Sequence, residues 1–156
     1  MHLRPIHILL RIASVATPIE EVVAAHDEIA TREGGVWFGI KTRPLSEDTI
    51  SAMRRQIADG HPAYFYLVQR RNCVFQIFRN NVSMLSRNLP HEDTGLVPRY
   101  YNVLGLAAQM KSWLRLSAFE KVNDSEFNRL HVDSSGTQVA KAMARSMLSL
   151  ATVFRQ

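Results

Sequence analysis

A single cysteine among 156 residues, Cys73, excludes an internal disulfide and suits a reducing compartment. It also cannot begin a cysteine-based zinc site. The six histidines, His2, His7, His26, His61, His91 and His131, never fall at helical ligand spacing, so no metal is expected. There is no glycine-rich phosphate loop and no G-x-S-x-G nucleophile elbow. Paired carboxylates are scarce too, because Glu20–Glu21 and Glu47–Asp48 read as helix starts. The residues therefore point to no catalytic group and no cofactor. Long apolar runs are missing as well: no window approaches the roughly 18 residues of a membrane span. The N-terminal "MHLRPIHILLRIASVA" is interrupted by His7 and Arg11. A cytoplasmic protein with no membrane partner is the expectation.

What is present fits one globular domain over residues 1–156, long enough to bury a sizeable core. Nineteen Lys and Arg against 14 Asp and Glu leave a net charge of +5, which favours anionic partners. Ile6, Ile8, Leu10 and Ile12 alternate with other residues, predicting a strand over 6–12. Thr17, Pro18 and Glu20 then read as N-cap, first helical position and capping box of a helix that Gly34 stops. Ser46 caps a second helix, about 47–58. "AYFYLVQ" and "CVFQIFRNNVSML" read as two strands with Arg70 and Arg71 at the tip between them, Cys73 opening the second strand as a packing residue. Residues 85–101 read as a long loop, "MKSWLRLSAF" as a strand, and Asn123 as the cap of a short helix. Val139, Met143 and Met147 mark a last helix before the terminal strand "LATVF". Strands clustered centrally with helices outside predict an α+β fold, a small curved β-sheet or β-barrel flanked by helices.

One stretch raises a specific question. In "EGGVWFGIK", Val36, Phe38 and Ile40 share one strand face, while Gly35, Trp37, Gly39 and Lys41 share the other. The largest side chain thus stands between glycines, away from the aliphatic side. Trp113 repeats the pattern, sharing a face with Arg115 and Ser117. Tyr64 and Tyr66 share a face of their strand, and Tyr100 and Tyr101 end the long loop. These six aromatics are candidates for a base-binding cage, since stacking contributes about 1–3 kcal/mol per base. Lys41, Arg70, Arg71, Arg99 and Arg115 are the candidate phosphate contacts, with arginine favoured for its planar fork. The alternative is that the tryptophans cap a second small core of the protein itself.

The order "GGVWFGI", "DGHPAYFYLVQRRNCVFQIFRN", "GLVPRYYN", "KSWLRLSAFEKV" and "SSGTQVAKAMARSM" resembles the PUA-like superfamily, most nearly its EVE and YTH-related branch. The resemblance spans roughly 6–154. It implies a small curved barrel flanked by helices, with an aromatic pocket for a modified or flipped-out base. Trp37, Tyr64, Tyr66 and Trp113 would lie at that pocket, with Tyr100 and Tyr101 at its mouth. The implied partner is nucleic acid, DNA or RNA, together with a nuclease or modification enzyme acting beside it. Two features depart from the pattern: "GIKTR" replaces a lysine-serine pair, and "RRN" replaces a glycine-rich turn. Competing expectations are a small enzyme using His91, Glu92 or Asp93, and a protein-interaction module.

Overall fold

The computed structural model describes residues 4–14, 16–145 and 148–156. His2 and Met147, which the sequence reading used, lie outside them. The chain runs β1 (His7–Arg11), α1 (Ile19–Glu33), β2 (Val36–Ile40), α2 (Glu47–Ala58), β3 (Tyr64–Arg71) and β4 (Val74–Ser86). Then follow α3 (Arg99–Val103), β5 (Ser112–Leu116), β6 (Glu120–Val122), α4 (Asp124–Phe127), β7 (Leu130–Val132), α5 (Val139–Arg145) and β8 (Leu150–Arg155).

Most signals acted as expected. Gly34 ends α1 with φ of 80°, its N–H returning to the Ala30 carbonyl. The Ser46 hydroxyl accepts from Thr49 N, and Asn123 accepts from Glu126 N, each opening a helix. The start of α1 differs from expectation. Pro18 is the N-cap and no side chain of the predicted Thr17–Glu20 box caps it. The fully buried Gln69 of β3 does that work: its amide oxygen accepts from Ile19 N at 2.8 Å, and its NH2 donates to the Ser14 and Thr17 carbonyls. A tertiary contact from fifty residues downstream thus replaces a local cap.

The hairpin also differs. Arg70 and Arg71 are the last residues of β3, and the turn is Asn72–Cys73, with φ of 53° and 63°. Two successive left-handed residues give the two-residue turn whose twist matches paired strands. Cys73 is therefore exposed at the turn and is not a packed strand residue. Likewise residues 85–101 are not all loop: β4 continues to Ser86, His91–Asp93 form a 3-10 turn, and Tyr100 and Tyr101 belong to α3.

The sheet order is β2-β5-β4-β3-β1-β8-β7, with β6 beside β4; β1 is parallel to β3 and the other pairings are antiparallel. It is a mixed, open sheet within an α+β fold. The 13-residue β4 is its spine, pairing with β3 through Asn81 and with β5 from Val82 onward, past an irregularity between Val82 and Met84. Buried Asn80 closes the gap between β5 and β6, donating to the Ser117 carbonyl and accepting from its N–H and hydroxyl.

One sheet face packs on α1 and α2 through Ile8, Phe38, Phe65, Leu67 and Leu114. The opposite face carries two separate cores. α4 and α5 cover Leu9, Tyr66, Val68 and Val153, and the segment 87–111 covers Trp37 and Trp113. Cys73 pays a left-handed penalty that glycine lacks. Cys73→Gly should raise the unfolding free energy by about 1 kcal/mol in urea titration.

Candidate functional site

β2 uses one edge to pair with β5, in register Trp37↔Arg115 and Gly39↔Trp113. Its other edge points Trp37 N and Gly39 N away from the sheet, and a buried amide left without a partner costs about 1–3 kcal/mol. The segment 87–111 supplies both partners: the Leu96 carbonyl accepts from Trp37 N at 2.8 Å, and the Tyr101 hydroxyl accepts from Gly39 N at 3.3 Å. Lys111 N donates to the Ile40 carbonyl and returns the chain to the sheet. The segment then folds over the strand face, and Trp37, Tyr101 and Trp113 are buried together with Val97. Tyr101 lies 5.8 Å from Trp113 and 4.9 Å from Tyr100, centroid to centroid.

The glycines beside Trp37 now have their reason. A Cβ on Gly39 would overlap Met110 Cγ and crowd Tyr101 Cε2 at 3.1 Å, while one on Gly35 would lie 2.9 Å from Arg115 Nε and Nη2. The space around the tryptophan is occupied by Met110 and Tyr101 on one side and by a guanidinium on the other.

His26 is the residue that sequence reading missed. It lies on the α1 stripe of Val23, Ile29 and Ala30, at helical spacings of three and four, which marks it as inward-facing. It is fully buried and stacks on Phe38 with centroids 4.6 Å apart. Nδ1 is 2.7 Å from the Val22 carbonyl and so must donate; Nε2 then accepts from the Tyr101 hydroxyl, also at 2.7 Å. The chain of bonds runs from Gly39 N–H to Tyr101 to His26 to Val22, joining β2, α3 and α1. Burial pushes His26 down to about 4 and holds Tyr101 well above its ordinary value, so both are neutral at pH 7.

Trp37 Nε1 donates to Asp93 Oδ2 at 2.9 Å, and Arg115 Nη1 lies 3.5 Å from the same oxygen. His91 and Glu92 are exposed beside it. Lys41 is exposed where β2 leaves the sheet, and Arg99 is exposed at the start of α3.

The structure does not bring the remaining candidates here. Tyr66 is buried under α4, its hydroxyl donating to Glu126, and Tyr64 sits beneath the Arg79 guanidinium at 4.8 Å. Arg79 is in turn held by Glu126 and Glu120. Arg70 lies over Phe75 and Arg71 pairs with Glu20, both near Val74. From Val74 to Val82, where β5 begins to pair, β4 spans about 26 Å at roughly 3.3 Å per residue.

Exposed cations flank the two paired strands. Residues 34–46 and 94–119 contain no Asp or Glu but include Lys41, Arg43, Arg99, Lys111 and Arg115. The longer acid-free run 60–91 carries four arginines, of which Arg71, Arg79 and Arg87 pair with acids, whereas Lys41, Arg99 and Lys111 of the first two stretches make no ion pair among the described residues. Those two stretches are β2 and β5, paired side by side, with part of the cover between them. These cations were available in the sequence, but their meaning depends on knowing that the two strands are neighbours.

A family model described as Pua-like matches residues 8–154. The chain belongs to the Pua-like family. No curated protein and no solved structure matches it. Among the described residues of this Pua-like domain no cluster of three or more His, Cys, Asp or Glu is placed to hold a metal ion, and no helix is long and apolar enough to cross a membrane.

Two predictions follow from the buried histidine and the glycine. His26 is lowered to about 4 by burial, and His7 is lowered to about 4 by burial and by Arg155. The unfolded chain therefore binds protons that the folded one refuses. Stability should be full above about pH 6.5 and fall towards pH 4, with a slope approaching about 1.4 kcal/mol per pH unit for each histidine. Asp27, raised by burial, offsets part of this. Urea midpoints across pH 4.5–7.5 measure the slope, which His26→Gln should reduce. Gly39→Ala should cost about 1–3 kcal/mol by displacing Met110, read by thermal melting and the near-ultraviolet tryptophan signal.

Proposed function

We propose that this Pua-like domain is a non-catalytic nucleic-acid-binding module that engages DNA or RNA through the β2–β5 end and reads a modified or flipped-out base at the Trp37–Tyr101–Trp113 cluster. The observation that carries the reading is that Lys41, Arg99 and Lys111, exposed and without an ion pair among the described residues, flank the paired strands that hold both tryptophans. A polyanion is attracted to that end, and condensed counterions released from its phosphates supply sequence-independent affinity. A base swung out of its stack costs a few kcal/mol, which stacking on aromatic rings offsets. Met110 occupies the position over Gly39 that a base would need. A thioether is the side chain best suited to give way, because it is unbranched and adapts to several packings. The EVE and YTH-related variety of the fold agrees with such a site, as does a cytoplasmic setting beside a nuclease or modifying enzyme. Val103 and Leu104, 74% and 64% exposed at the end of α3, favour a second reading in which a protein partner docks at the same end.

The experiment is a binding titration with labelled single- and double-stranded oligonucleotides at several salt concentrations. Lys41→Ala and Arg99→Ala should each weaken binding across all sequences and reduce the salt slope by roughly one contact. Arg70→Ala and Arg71→Ala should leave it unchanged. Equal losses at the hairpin and at the β2–β5 end would contradict the assigned interface, and an absence of binding at low salt would contradict the function.

A further inference from the structure

We propose that Trp37 Nε1 and the Arg115 guanidinium form a phosphate-oxygen site, filled in the free protein by its own Asp93 carboxylate, which a nucleic-acid phosphate displaces. The inference rests on the nucleic-acid reading above and concerns how that site is controlled.

The donors belong to the sheet. Trp37 and Arg115 are direct cross-strand partners in β2 and β5, so their side chains project together from one face. Gly35, without a side chain, lets the guanidinium lie against the β2 backbone. An indole N–H and a planar guanidinium converging on one oxygen are what an oxyanion requires, and a phosphate oxygen is as good an acceptor as a carboxylate oxygen. The acceptor is not part of the sheet. Asp93 sits on the 3-10 turn His91–Asp93 of the cover segment, immediately before the acid-free stretch that begins at Thr94.

The contact is also reachable from solvent. The Asp93 and Arg115 side chains are 19% and 28% exposed, and their closest approach is 3.5 Å. At 3.5 Å the ion pair is longer than a close charge-assisted bond, and a phosphate oxygen of a polyanion held by Lys41, Arg99 and Lys111 offers the same two donors an equivalent acceptor. Three residues beyond Asp93, the Leu96 carbonyl accepts from Trp37 N. Displacing the carboxylate therefore loosens the cover beside the tryptophan, which couples phosphate binding to access to the aromatic rings.

The test measures anisotropy of a labelled single strand of about 12 nucleotides. The proteins are the wild type, Asp93→Asn, Glu92→Gln, Arg115→Ala and the Asp93→Asn/Arg115→Ala double variant, each at two or more salt concentrations. Glu92 is the neighbouring carboxylate on the same turn, and its neutralisation reports the through-space gain from removing any negative charge there. Asp93→Asn should tighten binding by about three- to tenfold and steepen the salt slope by roughly one contact. Glu92→Gln should gain no more than about twofold. The Asp93→Asn gain should vanish when Arg115 is absent. Thermal melting verifies folding, and Asp93→Ser, smaller and equally neutral, must give the same gain. The proposal is overturned if Asp93→Asn gains no more than Glu92→Gln, if it weakens binding, or if its gain survives in Arg115→Ala. Those outcomes leave the nucleic-acid reading standing, whereas no binding by any of these proteins overturns both.

Discussion

The free edge of β2 is the constraint on which the rest of this end of the molecule depends. An edge strand exposes a row of backbone donors and acceptors, and β2 is short, apolar and buried along its whole length. Its outward N–H groups at Trp37 and Gly39 therefore need partners from elsewhere in the chain. The Leu96 carbonyl and the Tyr101 hydroxyl meet that need, and in doing so they draw 87–111 down onto the strand. Once the segment is down, Gly39 has to be glycine because Met110 and Tyr101 lie against it, and Tyr101 has to find an acceptor for its own proton. His26 is that acceptor. A single edge-capping problem thus fixes a glycine, a tyrosine, a buried histidine and the methionine above the strand.

The same arrangement separates two clusters on one face of the sheet. The face away from α1 and α2 is divided between two cores. Under α4 and α5 the charged groups satisfy one another: Arg79 bridges Glu120 and Glu126, and Glu126 also takes the Tyr66 proton and faces Arg155. Under the 87–111 cover there are tryptophans and cations with Asp93 as the inward carboxylate. The charged side chains that reach the first core pair with one another, and those that reach the second converge on Asp93.

How much of this was legible in the sequence follows from the range of the interactions involved. The alternation in β2, the caps at Ser46 and Asn123 and the stop at Gly34 act within a few residues, and each reads directly. The Gln69 cap of α1 and the His26–Tyr101 bond span fifty residues or more, so no local signal reports them. β6 and β7 have three residues each, too few to show a period. The six aromatics could be picked out as unusual, but not sorted. β4 and β5 lie between β3 and β2 in the sheet, and Tyr64 and Tyr66 pack in the core under α4 and α5 while Trp37 packs under the 87–111 cover. The alternation that sets each residue's face is local; the strand order that decides which residues meet is not. Trp37 accordingly lies in a small core of the protein's own side chains, as one of the two sequence readings allowed, with Met110 packed against it.

The most direct test of the account is a backbone and indole N–H chemical-shift map of the protein titrated with a short oligonucleotide. The account predicts that the largest changes fall on the Trp37 and Trp113 indoles, Gly39, Arg115 and the 91–111 segment, with the hairpin at Asn72–Cys73 and α5 unmoved. Changes centred on the hairpin or on α5, with the two indole signals left in place, would contradict it.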